Sequence, residues 1–254
     1  MEAFLISSML SIADTGNVML VTGGFVVGVL SVVFGGGLFF SVPLMQWVFP
    51  SLSFGSIVGN IKVGSLFRSI GSTWTTRGSI EYVRNIEVST FAFLGTILGA
   101  FLISHLSQAW ILPATVFAVV FAESAPRITA FISGRTFHVA AFLCGLYAGT
   151  FGAGIGIILV ALLRLKHPTD TDIALVKIQA RFVEFMLVSV AVVTHWYGGN
   201  LLFAVWLPWS VGSLAGGYVG GILLIHLSKF SGALQKIVLR IAYALAIITA
   251  TIHL

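Results

Sequence analysis

The chain has 254 residues, of which 58% are hydrophobic and only 8% charged, and its mean hydropathy is +1.07. An ordinary soluble domain carries about 25% charged residues, so this chain lacks the polar surface to cover itself in water and reads as an all-α integral membrane protein. The net charge of +5 arises from 13 basic residues scattered through short loops, with no aromatic-interleaved basic cluster, which argues against nucleic-acid binding.

The first four residues, Met1 to Phe4, include no basic n-region, so no cleavable signal is read and residues 1–17 are expected to stay as an N-terminal segment. Apolar segments follow at about 18–34, 38–49, 54–76, 88–106, 110–132, 136–150, 155–165, 173–195, 201–227 and 236–253. Each is expected to be helical, because lipid offers the backbone no hydrogen-bond partner. Runs of this length exclude the alternating strands of a membrane barrel.

Glycines break two of these stretches. Gly35, Gly36 and Gly37 separate 18–34 from 38–49, and Gly152, Ala153 and Gly154 separate 136–150 from 155–165 at a distance of 117 positions. The shorter arm of each pair has about a dozen residues, roughly 18 Å of helix, too little to span a bilayer alone. Each pair is therefore one broken span with an extension or a re-entrant hairpin. A single span per pair would put basic loops on both faces, so a hairpin or two spans, either of which returns the chain to the same side, is expected.

With such pairs, 50–53, 107–109, 198–200 and both termini fall on one side and contain no Lys or Arg, while Arg77, Arg84, Arg135, Arg164, Lys166, Lys229 and Lys236 fall on the other. The positive-inside rule then puts both termini on the extracytoplasmic side of the inner membrane. The segment 95–107 aligns with 216–228, and Gly78 with Gly199. Two repeats are expected, 18–132 and 133–254, each a broken pair followed by three crossings, with the second copy inverted.

Paired broken helices in such repeats point to a transporter site at the repeat interface. Lys62 and Arg181 each lie eight residues inside a span, preceded two positions earlier by an amide, Asn60 or Gln179. A cation at mid-bilayer costs roughly 2.5–3.5 kcal/mol, so two with few acidic partners suggest an anionic ligand. A helix restarting after Gly35–Gly37 or Gly152–Gly154 would offer it free N–H groups. The structural alternative is that Lys62 snorkels and Arg181 pairs with Glu184 three residues on.

Other residues read more simply. Gly95/Gly99 and Gly216/Gly220, four apart, suit helix packing. Glu123 and Arg127 look like a structural pair, and Arg68 faces either the cavity or the cytoplasm. His105 and His226 read as interfacial rather than as metal ligands, His195 and Trp196 as residues of the outer surface, and Ser31 and Thr150 as candidate hydroxyl donors. Cys144 is the single cysteine, which argues against a disulfide or a cysteine metal cluster. No cofactor motif is read.

The segment Val33–Gly37 running into Ser41-Val42-Pro43-Leu44, its second copy Gly145–Gly154, and Asn60-Ile61-Lys62 resemble motifs of the TauE/SafE family of sulfite and organosulfonate transporters. The resemblance covers roughly 23–250. It departs from the family in the second copy, which reads Gln179-Ala180-Arg181 and has Leu159-Val160-Ala161 in place of the proline segment. It implies movement, mostly export, of small sulfur-containing anions. The substrate-binding candidates are thus Gly35, Gly36, Gly37, Asn60, Lys62, Gly152, Ala153, Gly154, Gln179 and Arg181. An intramembrane enzyme is disfavoured by the lack of zinc-helix, serine-elbow and buried-aspartate motifs; an anion channel and a membrane assembly factor are the remaining alternatives.

Overall fold

The computed structural model describes residues 2–103, 106, 108–130, 132, 136–166, 173–226 and 232–252. Ten α-helices follow one another: α1 (Glu2–Phe34), α2 (Gly37–Val48), α3 (Phe54–Thr76), α4 (Tyr82–Ile103), α5 (Ile111–Ala130), α6 (Phe137–Thr150), α7 (Ile155–Lys166), α8 (Ile173–Tyr197), α9 (Phe203–His226) and α10 (Gly232–Ile252). No strand occurs among the described residues. Helix α1 begins at Glu2 and not near residue 18. Hydropathy marks where lipid can touch a helix, whereas the backbone hydrogen bonds run on through polar residues.

Among the described residues, three segments are long and apolar enough to cross a membrane: Gly16–Phe34, Asn85–Ile103 and Phe203–His226. Helices α2 and α7 have 12 residues each, roughly 18 Å against about 30 Å of hydrocarbon. Helix α6 has 14. Both glycine-broken pairs therefore contain a short arm.

The most extensive contacts join α1 with α9, α3 with α9, and α4 with α6. Glycine lets these backbones touch. A Cβ on Gly95 or Gly99 of α4 would meet backbone of α6, and one on Gly216 would meet Phe25 O and Gly28 Cα of α1. Gly220 likewise lies against Val29 and Val32. The packing expectation for both pairs holds.

Two amides fix the ends of the bundle. Gln179 on α8 reaches the turn between α3 and α4: its Nε2 donates to Ser79 O (2.8 Å), and its Oε1 accepts from Glu81 N (3.0 Å) and Asn85 Nδ2 (2.7 Å). At the other end Asn60 on α3 reaches the turn between α8 and α9, its Nδ2 donating to Asn200 O (3.2 Å) and its Oδ1 accepting from Leu202 N (3.0 Å). Asn60 Nδ2 also donates to Ser56 O of its own helix (2.7 Å). Truncating Gln179 to alanine removes three hydrogen bonds, with Ser79 O, Glu81 N and the buried Asn85 Nδ2. At about 0.5–1.5 kcal/mol per hydrogen bond, the expected loss is about 2–4 kcal/mol, read as a lower unfolding temperature of the purified protein.

The charged pair expected within α5 is arranged differently: Glu123 Oε1 lies 3.7 Å from Arg240 Nε and so joins α5 to α10. His105 lies outside the described residues, and His226 is exposed, with Nδ1 2.8 Å from Ile222 O.

Candidate functional site

Both breaks are made by glycine conformation. Gly35 and Gly36 have φ of 88° and 72°, and Gly152 and Gly154 have φ of 67° and 74°, a region that costs other L-residues about 1–2 kcal/mol. Each break ends one half-helix, where the last carbonyls point beyond the helix. One cation reaches each of these ends.

Lys62 Nζ donates to Ala148 O (2.5 Å) and Phe151 O (3.4 Å) at the end of α6. Arg181 Nη2 donates to Ser31 O (2.7 Å) and Val32 O (3.3 Å) at the end of α1. Each cation of one half thus closes the broken helix of the other half, where the negative end of the helix dipole favours it. Lys62 is 2% exposed, so it does not snorkel to the surface.

Arg181 Nη1 also pairs with Glu184 on the same helix, as the structural alternative anticipates. Glu184 does more: its Oε1 lies 2.7 Å from Arg68 Nη2, so one buried carboxylate joins two guanidinium groups across α3 and α8. Arg68 is 4% exposed and faces the protein interior. A Cβ on Gly37 would lie 2.6 Å from Arg68 Nη1, and one on Gly152 would lie 2.8 Å from Lys62 Nζ. Glycine at these two places makes room for the cations.

A cavity of about 160 Å³ opens beside Arg181, roughly five times the volume a water molecule takes in the liquid. Its walls are Val33, Phe34 and Gly35 at the first break, Gly156, Ile157 and Val160 of α7, and Lys177, Ala180 and Arg181 of α8. Lys177 and Gly156 are the residues that sequence reasoning passed over. Lys177 stands one helical turn before Arg181, a spacing that puts both on one face. Phe151, whose carbonyl Lys62 reaches, packs its ring on Phe39 and Phe54, with centroids 6.4 and 6.0 Å apart.

Of the other candidates, Ala153 is fully buried and its carbonyl accepts from Tyr147 Oη (2.5 Å). Asn60 and Gln179 spend their amides on the backbone of the bundle-end turns. The hydroxyls of Ser31 and Thr150 donate within their own helices, to Val27 O (2.5 Å) and to Leu146 O (3.1 Å). His195, in the last turn of α8, is fully buried, and neither ring nitrogen has a hydrogen-bond partner among the described residues. Trp196 is 64% exposed, since successive residues of a helix point about 100° apart.

Among the described residues no group of three or more His, Cys, Asp or Glu could hold a metal ion. The profile of a family described as "Sulfite exporter TauE/SafE" matches residues 20–252. No curated protein and no solved structure gives a significant match.

Proposed function

The chain belongs to the TauE/SafE sulfite exporter family, and from that premise we propose that it is a secondary transporter that exports small sulfur-containing anions, sulfite or organosulfonates, across the inner membrane. The observation that carries this reading is the cavity at the first helix break, walled by Gly35, Gly156, Lys177 and Arg181. It combines a cationic wall with close backbone at the place where paired broken helices bind substrate in transporters.

The reading includes two inverted repeats, α1–α5 and α6–α10. The pairing of α1 with α9 corresponds to that of α6 with α4, and α2 with α10 to α7 with α5. The contacts of Lys62 with the end of α6 and of Arg181 with the end of α1 obey the same exchange. So do the turn contacts of Asn60 and Gln179. These correspondences support alternating access, and the loop charges support both termini lying on the extracytoplasmic side. In the opposite state Lys62 and the break at Gly152–Gly154 would take the part that Arg181 and Gly35–Gly37 take here. Asn60 and Gln179 then hold the two halves in register rather than touch the anion.

An inside-negative potential favours efflux by about 2.3 kcal/mol per charge per 100 mV. The test is sulfite efflux from loaded vesicles containing the purified protein. Arg181→Ala is expected to reduce the rate more than tenfold, since hydrogen bonds to a charged group are worth about 1.5–3 kcal/mol. Lys62→Ala is expected to do the same, and wild-type efflux in that variant would remove Lys62 from the mechanism. Flux far above a carrier's turnover would replace the carrier with a channel, and no flux at all would favour an assembly factor.

A further inference from the structure

The cavity beside Arg181 is charged on one side and apolar on the other. Lys177 and Arg181 line it from α8, whereas Val33 and Phe34 of α1 and Ile157 and Val160 of α7 face it with hydrocarbon. A bare inorganic oxyanion held at Arg181 would turn its remaining oxygens toward side chains that donate no hydrogen bond. Removing such oxygens from water without compensation is costly. An anion with a short hydrocarbon portion meets both walls: its charged group lies against α8 and its carbons lie against α1 and α7.

We propose that Val33, Phe34, Ile157 and Val160 form an apolar subsite for the hydrocarbon portion of the anion, and that the cavity prefers short-chain alkyl anions to inorganic oxyanions. This rests on the transport reading above, because it takes the cavity as the place where the anion binds. Gly156 lies beside the charged group as well: a Cβ there would be 3.4 Å from Arg181 Nη1, an ordinary van der Waals contact.

The test measures affinity by thermal stabilisation of the purified full chain with sulfite, sulfate, and methane-, ethane-, propane- and butanesulfonate. Affinity should rise about three- to fourfold per methylene until the chain outgrows the cavity, with sulfite and sulfate weaker than ethanesulfonate. In Val160→Thr, which keeps the shape and replaces a methyl group by a hydroxyl, the gain per methylene should shrink while sulfite affinity is unchanged. Butanesulfonate separates burial from simple adsorption to the lipid-facing surface, since only a bounded cavity produces a decline at some length. A flat series, or sulfite as the tightest ligand, overturns the subsite and leaves the transport reading standing. Absence of stabilisation by every anion overturns both.

Discussion

Replacing Glu184 by leucine is expected to cost about 3–5 kcal/mol of stability, the largest loss from any single side chain near the candidate site. Glu184 is 4% exposed and lies between Arg68 of α3 and Arg181 of its own helix. Lys62 also stands close enough to feel its charge. Removing the carboxylate takes from the buried Arg68 and the half-buried Arg181 the acidic group that each of them pairs with. The cost lies in the stranded charges more than in the lost bonds. A double variant separates the two: Glu184→Leu with Arg68→Met should be less destabilised than the two single variants added together. Unfolding of the purified variants measures this. A single variant as stable as the parent, or strict additivity, would mean that the bridge between α3 and α8 carries no net energy. Glu184→Gln, which keeps hydrogen-bonding capacity, should fall between the parent and the leucine variant.

The positions of the helix breaks were legible because their cause is local. Glycine reaches positive φ without steric cost, and Gly35, Gly36, Gly152 and Gly154 all do so. Lys62 and Arg181 were also singled out by the sequence, each eight residues inside an apolar segment with an amide two residues earlier, and each reaches the end of a broken helix. What these residues touch was not legible. Lys62 meets a carbonyl 86 positions away and Arg181 one 150 positions away, and no periodicity reports a contact of that range. Asn60 and Gln179 illustrate the same limit. Their place beside a buried cation suggested a ligand, yet the turns they bind were visible in the sequence only as short polar loops. Arg68 and Glu184 lie 116 positions apart, and no spacing in the sequence pointed from one to the other. Lys177 was available from spacing alone, one turn before Arg181, but the cavity that gives it meaning needs α1, α7 and α8 together.

Gly145→Val is expected to prevent stable assembly, and Gly145→Ala to cost about 1–3 kcal/mol through overpacking. A Cβ at Gly145 of α6 would fall against the O, C and Cα atoms of Ala92 in α4. These are backbone atoms inside a helix, so no side chain can turn aside to make room. The two helices must move apart, and the bond from Thr96 Oγ1 to Gly145 O (3.1 Å) goes with them. The displacement would also reach the site, because Gly145 lies one turn before Ala148, whose carbonyl binds Lys62. Loss of transport should therefore accompany loss of stability in the alanine variant, although Gly145 touches no part of the cavity. Gly78 provides the control: a Cβ there meets nothing within 4 Å, and Gly78→Ala should unfold and transport like the parent. If Gly145→Val accumulated in membranes and unfolded at the parent's temperature, α4 and α6 could not be in backbone contact. The placement of Lys62 at the second break would then lose its support, because the close approach of α4 is what fixes the end of α6 beside it.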